Sequence, residues 1–267
     1  MRWYLRYPLA YEHVAELLAE RGLAIDASCV WRWVQVYAPE LNRRCQPHLK
    51  RTNKSYRVDE TYIKVKGQDR YLYRAVDSTG QTIDFLLSAK RDTAAAKRFF
   101  QKVFSSPANP IPRVINVDKN PAYPAAVDAL KAERALPRRV RLRQCKYLNN
   151  VIEQDHRTVK KRTWLAKGYG SFQSAWRTLE GIETMHIIRK GRVRWVAKGN
   201  VVAEARFVAM LFAIAAYRAS LDFTTQLHPR PPAANFATKP ATGSNPAAEK
   251  CPMSRFTLNY GDISSAF

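Results

Sequence analysis

Three acidic residues are spaced as metal-dependent phosphoryl transfer would need them. Asp59 lies in the apolar-polar run 56-YRVDETYIKV-65, Asp118 ends the run 113-RVINVD-118, and Glu153 opens the helical pattern 150-NVIEQDHRTVKK-161. The first two read as strand positions, and Glu153 follows Asp118 with 34 residues between them. In-line displacement at a phosphodiester is served by two divalent ions, one beside the attacking oxygen and one beside the leaving oxygen. Mg²⁺ takes hard oxygen ligands and keeps several waters, so two or three carboxylates plus a substrate phosphate make an adequate cage without His or Cys. The spacing therefore points to chemistry on nucleic acid.

Each acid also has an ordinary explanation. Strand alternation puts Asp59 on one face with Thr61, Ile63 and Val65, which reads partly buried, and Glu60 on the other with Tyr62 and Lys64. A solvent-facing carboxylate is the plain alternative for either. Asp118 closes an apolar strand before Asn120 and Pro121, at the carboxyl end where open α/β sheets bind ligands. A turn or capping aspartate fits equally well. Asn150-x-x-Glu153 matches a capping box. Arg157 and Lys160 lie one and two turns beyond Glu153 on the same helical face. That stripe fits a metal ligand flanked by phosphate contacts, and it also fits a simple i,i+4 ion pair.

The composition favours a polyanionic partner. Across 267 residues, 45 Lys and Arg oppose 22 Asp and Glu, a net charge of +23, while 46% hydrophobic content is enough for a packed core. Between Arg134 and Lys198 there are 17 basic residues and four acids, against nine and five in residues 1–55. Cys29, Cys45, Cys145 and Cys251 form no C-x-x-C pair and have no His at zinc-ligand spacing. The N-terminus lacks the apolar core of a signal peptide and the longest apolar run, Phe207 to Tyr217, is too short to span a bilayer. A reduced cytoplasmic protein, with no membrane partner, is expected.

The elements that must position these acids can be read from periodicity. Residues 9–21 predict a short helix ended by Gly22, and 29–38 a second, capped by Asp26 or Ser28 and stopping before Pro39. Together they read as a helix-turn-helix offering Trp31, Arg32 and Gln35 to a DNA groove, or as a plain αα-hairpin. Residues 39–55 read as a basic linker. Strands follow at 56–65, 70–76 and 82–88, then a helix at 93–104, a strand at 113–117, a helix at 121–131, a strand near 140–144, the Glu153 helix and a helix at 171–189. Three antiparallel strands followed by alternating helix and strand imply an α/β fold, a mixed sheet covered by helices in RNase H-like order. A last apolar helix is expected over 201–218. The tail 228–267, with six of the fifteen prolines, reads as disordered.

Four strings carry a resemblance: V-D-E-T-Y at 58–62, Y-L-Y-R-A-V-D-S at 71–78, I-N-V-D-K at 115–119 and Y-L-N-N-V-I-E-Q-D-H at 147–156. From about Arg2 to Lys190 the chain resembles transposases of the bacterial insertion-sequence-6 family, including the insertion-sequence-26 type. The resemblance implies that Asp59, Asp118 and Glu153 are a DDE triad, catalytic and metal-binding, on an RNase H-like core at 56–190. It implies Mg²⁺ as cofactor, as two ions that Mn²⁺ can replace. Its implied partners are double-stranded DNA, both terminal inverted repeats and target, with a homo-oligomer assembled on it. Lys160 matches the family's basic residue after the glutamate, and Arg157 and Lys119 join it as expected DNA contacts. The activity implied is nicking at element ends and transfer of the 3′-hydroxyl to target DNA. Family members usually extend before the segment matching Arg2, so residues 1–38 are expected to be a partial helix-turn-helix, and residues 191–227 a C-terminal helical segment. Two alternatives stand beside this: a DNA-binding remnant without catalysis, and an RNase H-like nuclease.

Overall fold

The computed structural model describes residues 1–213. The expected tail at 228–267, and the last part of the helix expected at 201–218, lie outside the described residues.

At the centre is a five-stranded sheet of β1 (Ser55–Val65), β2 (Gln68–Asp77), β3 (Thr82–Ser88), β4 (Val114–Val117) and β5 (Arg141–Gln144), in the order β3-β2-β1-β4-β5. β1, β2 and β3 form an antiparallel meander, while β4 pairs with β1 and β5 with β4 in parallel. This is the mixed sheet expected from the element order. The tight turn after β1 places Lys66 at φ 50° and Gly67 at φ 74°, the left-handed conformation that lets two residues join antiparallel strands.

Both faces of the sheet are covered, which alternation along β1 makes possible. Tyr56 and Val58 pack with α4 (Thr93–Ser105) and α5 (Ala122–Ala132) through Phe99, Phe100, Tyr123 and Val127. Ile63 and Val65, one residue out of step, face α6 (Asn150–Leu165) and α7 (Phe172–Arg189) through Val159, Ala175 and Leu179. Asp59 belongs to the α6 face and Glu60 to the α4/α5 face.

The N-terminal region holds α1 (Arg2–Arg6), α2 (Tyr11–Ala19) and α3 (Ala27–Cys45). α1 is not among the expected elements. Asp26, rather than Ser28, caps α3, its carboxylate accepting the Cys29 amide at 2.7 Å. α3 does not stop at Pro39 as the sequence predicts; it runs on to Cys45, so residues 39–45 of the expected linker are helix. Pro in a helix interior removes one hydrogen bond and costs about 3 kcal/mol. The continuation offsets this by burying Leu41 and Cys45 completely or nearly so, in a core shared with α7 and α8 (Val201–Leu211). Gly181 of α7 permits the close approach: a Cβ there would stand 2.6 Å from the Ala38 Cβ.

Candidate active site

Asp59 and Asp118 meet because β1 and β4 are parallel neighbours. The register Arg57↔Asn116 sets Asp59 opposite Asp118, which lies one residue beyond the end of β4. One ligand oxygen each from Asp59, Glu60 and Asp118 falls within 4.8 Å of the others. This is a partly buried set of hard oxygen donors, which suits a hard divalent cation.

Glu60 is the member that the sequence reading missed. Its side chain is 2% exposed. Arg91 and the Tyr123 hydroxyl donate to it, and the Asn120 amide donates at 3.3 Å. Burial, and then the Glu60 charge, push the Tyr123 phenol well above its ordinary range, so Tyr123 stays a donor. Arg91 also stands 3.5 Å from the Asp118 carboxylate. Glu60 thus holds a guanidinium beside the acids. Only its neighbourhood with the D-E-T-Y string could have flagged it, since the groups that bury it come from residues 91–123.

Asp118 does the local work its position allows: Oδ1 accepts the Asn120 amide at 3.0 Å, an Asx turn. Its second oxygen faces Arg91. Lys119 is exposed beside it.

Glu153 is not in the 4.8 Å cluster. It stands exposed in the first turn of α6, and the capping box is not formed: Asn149 is the N-cap position, without a side-chain cap bond. Instead the buried Asn149 side chain donates to the Val58 carbonyl at 3.3 Å and ties the helix start to β1. One turn beyond Glu153, His156 is buried with Nε2 3.3 Å from the Asp59 carboxylate. Glu153, Arg157 and Lys160 are all exposed, and their side chains make no hydrogen bond or ion pair among the described residues. The simple i,i+4 ion pair is therefore absent there.

The inner face of α6 is different. Asp155 is met by Arg74 at 2.8 Å, His186 at 3.0 Å and Lys190 at 2.6 Å. Arg74, fully buried on β2, also makes a two-pronged pair with Glu183 of α7. Burial alone would raise the Asp155 pKa, but Arg74, His186 and Lys190 hold it far below the usual carboxylate range. Burial lowers both His186 and Lys190, with Asp155 opposing. This charge cluster fixes α6 against the sheet.

Of the residues expected to read DNA, Trp31 and Arg32 are exposed on α3. Gln35 cannot enter a groove. It is 7% exposed and donates to the Thr178 hydroxyl of α7 at 3.0 Å, because the α3 face that carries it packs on α7.

The parallel β1–β4 pair brings Asp59 and Asp118 together at its end, with the start of α6 tied to β1 beside them. The DDE domain family model matches residues 53–192. The chain is 39% identical over 193 residues to the transposase for insertion sequence-like element IS431mec of Staphylococcus aureus (strain N315), covering 70% of this chain and 81% of that protein. It is 38% identical, over the same shares, to the transposase for insertion sequence element IS257 in transposon Tn4003 of Staphylococcus aureus. Among solved structures, the HTLV-2 integrase catalytic core domain in complex with magnesium aligns at TM-score 0.42 and 16% identity, over 55% of this chain and 96% of that one. The chain belongs to the insertion-sequence-6 family of DDE transposases, enzymes that use a divalent metal. No helix of the described residues is long and apolar enough to cross a membrane.

Proposed function

We propose that the transposase nicks double-stranded DNA at the terminal inverted repeats of its element and joins the freed 3′-hydroxyl to target DNA, with Asp59, Asp118 and Glu153 as metal-holding catalytic residues. The observation that carries this is the meeting of Asp59 and Asp118 beside a helix whose Glu153, Arg157 and Lys160 face solvent unpaired. Two Mg²⁺ ions, or Mn²⁺ in their place, are the cofactor this donor set fits, and when bound they neutralise charge on the attacking and leaving oxygens.

The protein's own groups do the rest. His156 packs against the Asp59 carboxylate and limits where it can turn, while Arg91, held by Glu60, keeps the Asp118 side chain turned toward Asp59. Arg157, Lys160 and Lys119 take DNA phosphates, which position a duplex without reading it. Trp31 and Arg32, at the exposed start of α3, are the candidates for base contacts in the terminal repeat. A homo-oligomer on DNA follows from the chemistry, since two element ends must be joined.

Replacing Asp118 with Asn tests the assignment. Metal-dependent nicking and strand transfer should be lost while DNA binding persists; cleavage by the variant with Mg²⁺ would overturn it.

A further inference from the structure

The acid pair is flanked by basic surfaces on two sides. On one side runs α6, with Arg157 and Lys160 outward, and its far end docks on the N-terminal helices. There Arg162 donates to the carbonyls of Leu5 and Arg6, and Trp31 lines a cavity with Leu165 to Gly170. On the other side, beyond β4, lies the edge strand β5.

The registers Arg57↔Asn116 and Asn116↔Arg143 put these three residues in one row. Leu142 packs with the α4/α5 cluster, so alternation turns Arg141 and Arg143 to the opposite face, the face of Asp59. Both are exposed. Asp118 stands one strand inward and two residues further along. With strands about 4.8 Å apart and about 3.3 Å per residue, its Cα is roughly 8 Å from that of Arg143. An extended arginine side chain spans most of that distance. Arg134, Arg138 and Arg139 are exposed in the turn that feeds β5. The side chains of these five arginines make no hydrogen bond or ion pair among the described residues. The acid beside them, Glu133, is taken by Lys97.

We propose that β5 and the turn before it are a phosphate-binding track for target DNA, with Arg141 and Arg143 nearest the reacting phosphate. The proposal rests on the transposase reading and names which DNA occupies this side. The α6 side adjoins α3, whose exposed Trp31 and Arg32 are the candidate base contacts, so the terminal repeat is assigned there. The β5 side offers a flat edge strand and a turn with no element to insert into a groove. Contacts of that kind hold backbone without reading sequence, which separates this side from the one assigned to read the terminal repeat. Edge protection accounts for the two arginines on β5 itself, but not for Arg134, Arg138 and Arg139, which lie in the turn before the strand.

The test uses the full chain carrying Arg141→Ala and Arg143→Ala, in an Asp118→Asn background, against a short random-sequence duplex. Affinity near physiological salt should fall about tenfold, and the slope of log K against log salt should shrink by about 0.9 for each phosphate no longer neutralised. Arg141→Lys with Arg143→Lys should restore most of the slope. In the catalytically intact chain, on a duplex bearing the element's end, the ratio of joined to nicked product should fall about tenfold. An unchanged slope would leave edge protection only and overturn the track. An equal fall in end binding, nicking and joining would assign it to terminal DNA instead and overturn the target assignment. Failure of the transposase reading has another signature: no metal-dependent nicking by the unsubstituted chain while the slope difference remains, which leaves a nucleic-acid surface but no target.

Discussion

Glu153 and Asp155 sit two residues apart on α6 and have opposite environments. Asp155 is nearly buried, with three cationic or donor partners from β2 and α7 and the residue after it, while the Glu153 side chain is exposed and pairs with no described residue. The same split runs along the helix: Ile152, His156 and Val159 share the buried side with Asp155, and Arg157 and Lys160 share the open side with Glu153. A buried charge must be neutralised within the fold, or it costs several kcal/mol. An exposed charge needs no such partner, and the proposed function gives the open side to metal and DNA. The inner face is architecture, and the outer face is where that proposal is tested.

The sharpest way to break this comparison is to remove Arg74. Arg74→Met strands Glu183 and takes one partner from Asp155, so unfolding free energy should fall by about 3–5 kcal/mol, measured by chemical denaturation. Adding Glu183→Leu should recover part of that loss, because the stranded charge is then gone. Two separately additive losses would mean the pair is not coupled.

His156 stands between the two faces, buried but touching Asp59. His156→Ala should raise the Mg²⁺ concentration for half-maximal nicking by about 10–100-fold, the usual effect of removing a group that orients a metal ligand. An unchanged metal requirement with lower stability would make His156 a packing residue only.

The smallest effect is expected on the open side. Arg157→Ala with Lys160→Ala should change stability by no more than about 0.5 kcal/mol, while the salt slope of DNA binding drops by about 0.9 for each phosphate these side chains neutralise. A large loss of stability would show that the outer face is structural after all.

Much of this was legible in the sequence, for identifiable reasons. Alternation in β1 assigned Asp59 to the α6 face, since Ile63 and Val65 mark that face locally. The apolar run ending at Asp118 marked the strand end. What was not legible depended on distant groups. Glu60 looked like an exposed strand acid because Arg91, Asn120 and Tyr123, which cover it, lie 31 to 63 residues away. Gln35 looked free for DNA because its partner Thr178 is 143 residues away. Pro39 read as a stop because the benefit of continuing α3 lies in burial against α7 and α8.

The sequence by itself determined the element order, the alternation that sorts residues between the two sheet faces, and the family, through short strings whose residues are close in the chain. The tertiary structure decided which carboxylates meet. It set Asp59 opposite Asp118 through parallel pairing of distant strands, covered Glu60 with Arg91 and Tyr123, and pinned α6 through Asp155 while leaving Glu153 open. Local pattern is fixed by neighbours a few residues away, whereas burial and pairing of charge depend on packing between segments far apart in the chain.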